Sequence, residues 1–114
     1  MLIRWLCRFA LTQAVELPIY GATRRSMPLT RRLAIGFGAT AATHPWVWFI
    51  LPEALQTPLG WWGYVVVAEL FAWAAEALFL TACGVSPRTA VLAILCANAA
   101  SFAAGLTLTA LGVP

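Results

Sequence analysis

Four apolar runs of membrane-crossing length occupy most of this chain: Ile3 to Gly21, Leu33 to Leu51, Trp61 to Cys83 and Thr89 to Leu111. A helix needs roughly 20 residues, within about 17–25, to cross the hydrocarbon core of a bilayer. The runs are continuous and rich in alanine and leucine rather than alternating, which argues against an outer-membrane β-barrel. Short turns separate them: Arg24-Arg25-Ser26-Met27-Pro28 through Arg32, Pro52 through Gly60, and Gly84-Val85-Ser86-Pro87-Arg88. The expected fold is all-α: an integral membrane four-helix bundle in one domain, residues 1–114. It would be built from two tandem transmembrane helical hairpins in parallel repeat, at about residues 1–52 and 60–112.

Composition points the same way. Hydrophobic residues make up 62% of the chain and charged residues 10%, whereas a soluble domain carries about 25% charged residues. A small chain has more surface per unit volume to cover with polar groups, not less. The apolar surplus therefore faces lipid, and the bilayer is the first partner expected. The seven cationic residues are all arginine, and the acids are Glu16, Glu53, Glu69 and Glu76, for a net charge of +3. The arginines flank the apolar runs with no basic stripe interleaved with aromatics, so nucleic acid is not an expected partner.

Arginine also sets the expected orientation. Arg24, Arg25, Arg31, Arg32 and Arg88 lie in the first and third turns, against Arg4 and Arg8 on the other side. The positive-inside rule places those turns in the cytoplasm and both termini outside, and a prokaryotic cytoplasmic membrane is the expected location. Trp5, Trp46, Trp48, Trp61 and Trp62 then fall toward the outer boundary, where indole rings prefer to sit, and Trp73 lies deep. The first segment has no small-residue cleavage site and reads as a true span. Cys7, Cys83 and Cys96 are scattered without CxxC spacing, and the lone His44 does not complete a zinc site with them. No nucleophile elbow, phosphate loop or HExxH occurs, so no enzymatic activity is expected.

The two halves resemble each other. Ala39-Thr40-Ala41-Ala42-Thr43 and Ala97-Asn98-Ala99-Ala100-Ser101 share one pattern, and each follows a Leu-Ala-Ile. Glu16 stands twelve residues before Pro28 and Thr40 twelve after it; Glu76 stands eleven before Pro87 and Asn98 eleven after it. In an antiparallel hairpin, equal distance from the turn means similar depth, so each hairpin should bring a glutamate level with an amide or hydroxyl.

Those polar residues carry the functional expectation. A charged side chain at the bilayer centre costs at least roughly 2.5–3.5 kcal/mol, so acids inside spans face a bundle interior or a wet cavity. Gln13 and Glu16 share a helix face, as do Glu69 and Glu76, Thr40 and Thr43, and Asn98 and Ser101. Glu16, Glu69, Glu76, Thr40, Thr43, His44, Asn98 and Ser101 are the candidate ion or proton site, since oxygen-rich groups suit protons or hard ions over soft metals. The alternative is that protonated glutamates simply hydrogen-bond these partners and hold the helices in register. His44, just before the helix-loosening Pro45, reads either as a proton relay or as a hydrogen-bonded imidazole at a kink.

In size, span count and a glutamate in the first helix, the chain is similar to the small multidrug exporters, which work as dimers. The likeness is architectural, covers no contiguous motif and bears on Glu16 alone, because this chain has three acids in two spans. Two functions are thus expected as alternatives: a small oligomeric ion- or proton-coupled transporter or channel, or an accessory or assembly subunit of a larger membrane complex.

Overall fold

In the computed structural model, which describes residues 1–23 and 27–113, the chain is all-α. Helix α1 is Leu2–Gly21 and α2 is Leu29–Pro45; a π-helical stretch, Trp46–Ile50, leads into α3, Leu51–Ala82, and α4 is Pro87–Ala110. α1 packs on α2 and α4, and α3 packs on the same two helices. Arg24 and Arg25, on which the orientation partly rests, lie outside the described residues.

The second turn is a correction to the sequence reading. The expected turn from Pro52 to Gly60 is helical, and Leu29–Ala82 forms one apolar stretch of 54 residues. Pro52 falls in the first turn of α3 and follows the π stretch directly, so the helix continues through it at the loss of one donor. A proline that reads as a stop therefore lies within the helical stretch. The break comes at Gly60, whose φ of 71° and ψ of 178° belong to a region essentially restricted to glycine.

The expected second span also does not run regularly to Leu51. Pro45 ends α2 and Pro52 follows the π stretch, each removing a helical donor. The Leu51 N–H bonds Trp46 O and Pro52 has no N–H to offer. The Val47 carbonyl instead accepts the Tyr64 hydroxyl at 2.6 Å.

A small apolar core gathers where α1 ends and α4 begins: Tyr20, Ala39, Leu80, Val85, Ala90, Ala93, Ile94 and Ala97. Gly36 is the seat for Tyr20, since a Cβ there would stand 2.4 Å from the ring. Arg32 donates to the carbonyls of Gly21 and Thr23, capping the end of α1. At the opposite end Arg8 donates to Gly105 O at 3.1 Å, Thr109 Oγ1 at 3.0 Å and Val113 O at 3.2 Å. A cation there meets the negative end of α4.

Two helical stretches, Leu29–Ala82 and Pro87–Ala110, are long and apolar enough to cross a membrane. In each, only 22% of the most apolar 18-residue segment is buried within the chain. A core helix of a soluble protein would hide most of that surface. Here Leu70, Leu78, Leu92 and Leu106 face outward, which supports a membrane protein. The 43 Å long dimension is comparable to the roughly 40–45 Å of a bilayer with its headgroups.

Candidate functional site: a buried glutamate pair

Glu16 on α1 and Glu76 on α3 are 1% and 2% exposed. Four neutral donors from α2 and α4 converge on them. Thr40 Oγ1 donates to Glu16 Oε2 at 2.7 Å and Ser101 Oγ to Glu16 Oε1 at 2.7 Å. Thr43 Oγ1 donates to Glu76 Oε1 at 2.6 Å and Asn98 Nδ2 to Glu76 Oε2 at 2.8 Å. Every carboxyl oxygen thus receives one donor, and each glutamate is held by both α2 and α4.

Exchanging Glu16 with Glu76, Thr40 with Asn98 and Ser101 with Thr43 maps the set of contacts onto itself. One contact of each kind joins helices that follow one another in the chain, Glu16 on α1 with Thr40 on α2 and Glu76 on α3 with Asn98 on α4. The other joins Glu16 on α1 with Ser101 on α4 and Glu76 on α3 with Thr43 on α2.

The donors differ in a way that matters chemically. Thr43 Oγ1 also lies 3.3 Å from Ala39 O, and Ser101 Oγ lies 3.2 Å from Asn98 O. Each glutamate therefore has one hydroxyl with a backbone acceptor in reserve. If the carboxyl takes up a proton, its new O–H can donate to that hydroxyl, whose own hydrogen turns to the carbonyl. Asn98 Nδ2 stands between Glu76 Oε2 and Ile94 O, at 3.1 Å from the latter. Two acceptors fix the amide nitrogen there and turn its oxygen away.

Among the described residues no arginine pairs with either glutamate; Arg8 and Arg32 are engaged at opposite ends of the molecule. No group of three or more His, Cys, Asp and Glu side chains comes together among them either. Tyr20 adds a buried hydroxyl beside Thr40 and Glu76, without hydrogen-bond geometry to either.

Two expected members stand apart from the hydrogen-bonded network. Glu69 is half-buried on α3 and makes no side-chain hydrogen bond to the other site residues. His44 is packed among aromatic rings, with centroids 5.3 Å from Phe9, 5.9 Å from Trp5 and 6.1 Å from Trp48. The physical reason is register: α1 and α2 are antiparallel, so one turn beyond Thr40 carries His44 past Glu16 to the level of Phe9. The sequence reading missed Tyr20 and Arg8. The only signal for Tyr20 was its place one turn after Glu16 on the same face. Arg8 read as a flanking charge.

No protein-family model, no characterised protein and no solved structure matches the chain.

Proposed function

We propose that the protein is a multi-pass membrane protein that exchanges protons at the Glu16–Glu76 pair, acting as a small proton-coupled transporter or channel. The observation that carries this reading is the double supply of hydrogen-bond states: each buried carboxyl has a donor for either oxygen and a hydroxyl that can reverse. Two ionised carboxylates without a cation would bear a large desolvation cost and repel one another. A proton relieves both. A metal ion would need converging oxygen lone pairs, whereas each carboxyl oxygen already accepts from a hydroxyl or from the Asn98 amide nitrogen, which has no lone pair to offer. The donor set favours the proton over a hard cation.

In this reading α1, α2, the part of α3 after Gly60 and α4 are four spans of one bundle. The two hairpins descend from one duplicated hairpin, for which the self-mapping network is the support. Both termini face outside in a prokaryotic cytoplasmic membrane, by the arginine bias. The extensive outward apolar surface and short helices fit assembly with further copies or a larger complex.

The second reading is an accessory subunit whose glutamates brace helices, favoured by the fact that the same four bonds tie α1 and α3 to both α2 and α4. Reconstitution separates the two. Purified protein in liposomes is expected to pass protons but not sodium or potassium under an imposed gradient. Glu16→Gln should abolish the flux, while Glu69→Gln retains it. Absence of flux in the wild type, with a larger partner co-purifying at fixed stoichiometry, favours the subunit.

A further inference from the structure

The carboxyl pair is enclosed unequally. Toward the end where α4 begins stand Tyr20, Leu80 and Ile94, all almost fully buried, with one unpaired hydroxyl, that of Tyr20, and a small cavity beyond it lined by Leu80, Gly36 and Arg32. Toward the end where α1 begins, the interior is polar and unsatisfied. Gln13, one turn before Glu16 on the same face, is 7% exposed, and neither Oε1 nor Nε2 has a hydrogen-bond partner. His44 stands one turn beyond Thr40, the hydroxyl that serves Glu16. Its Nδ1 is buried and unpartnered, as is Nε1 of the neighbouring Trp5.

Buried polar groups are almost always paired with protein or with bound water. Gln13 offers a donor and an acceptor together, which is what orienting a water between two other groups requires. The backbone beside His44 departs from a regular α-helix, since Pro45 and the π stretch follow it directly. In the second half Trp73 precedes Glu76 as Gln13 precedes Glu16, and its Nε1 is likewise buried and unpartnered, but an indole donates and does not accept.

We propose that Gln13 and His44 bind water and form the route by which protons reach Glu16 and Glu76, from the end where α1 begins. The inference rests on the reading of the pair as a proton-exchanging site. The titratable and charged groups toward this end are His44 from α2, Arg4 and Arg8 from α1, and Glu53, Tyr64 and Glu69 from α3, with the Tyr64 hydroxyl held by Val47 O. α4 brings Ser101 and Thr109, of which Arg8 holds the latter.

The test is infrared detection of the buried carboxyl band in liposomes after transfer from H2O to D2O, with helicity checked by circular dichroism. Gln13→Met and His44→Phe are each expected to slow exchange about tenfold or more without changing its final extent. Trp73→Phe should exchange at the wild-type rate. The two route variants give independent tests, so failure of one to fold leaves the other. Wild-type rates in a folded route variant overturn the route, as does equal slowing in Trp73→Phe. A wild type with no exchanging carboxyl band overturns the proton-site reading itself.

Discussion

A hydroxyl in this network is worth more than its bond to one oxygen, because Thr43 is both the donor to Glu76 and the group able to reverse when Glu76 changes protonation. Hydrogen bonds between membrane helices average about 0.6 kcal/mol and reach about 1.7 kcal/mol. Leaving a buried acceptor wholly unpaired costs about 1–3 kcal/mol. Thr43→Val keeps the shape and removes the donor from Glu76 Oε1. It is therefore expected to lose about 1–3 kcal/mol in reversible unfolding in mixed micelles. Thr107→Val is the matched control: its exposed hydroxyl serves only its own helix, at Ala103 O, and a change within about 0.5 kcal/mol is expected. Equal losses in the two variants would mean that the Glu76 contact contributes no more than a surface hydroxyl.

At the scale of elements, the chain bends where backbone chemistry permits. A methyl group at Gly60 would have nothing within 4 Å, so any penalty for a side chain there comes from its backbone conformation alone. Gly60→Ala should destabilise by about 1–3 kcal/mol on that account, whereas at Gly63 the cost is steric, because a Cβ there would stand 2.8 Å from Leu59 Cβ, an atom that cannot move without the backbone. A neutral Gly60→Ala would show that the kink is not held in that conformation. Helix existence and depth were legible in the sequence. Apolar length marks α1 and α4 closely, and distance from Pro28 and Pro87 tells which polar residue lies level with each glutamate. The linker between α2 and α3 was not legible, because Pro52 and Pro58 are turn residues in one context and residues within a helix in another. Nor were the contacts of Glu16 with Ser101 and of Glu76 with Thr43. They depend on how α1 meets α4 and α2 meets α3, which spacing within a hairpin does not specify. His44 and Glu69 share helix faces with the hydrogen-bonded pair but lie at other levels along their helices, so facial grouping alone did not show which residues bond directly to one another.

For the whole molecule, the two carboxyls form one unit rather than two sites. Among the described residues both take their hydrogen bonds from α2 and α4, through Thr40 and Thr43 on one helix and Asn98 and Ser101 on the other. Groups that act as a unit are grossly non-additive: removing a second member costs little once the first is gone. Independent sites would instead multiply their losses. The deciding measurement is proton flux into liposomes for the wild type, Glu16→Gln, Glu76→Gln and the double variant, at equal reconstituted protein. The proton-coupled unit predicts that each single variant falls to the level of the double. Wild-type flux in either folded single variant, or a double variant lower than both by the product of their separate losses, would contradict it.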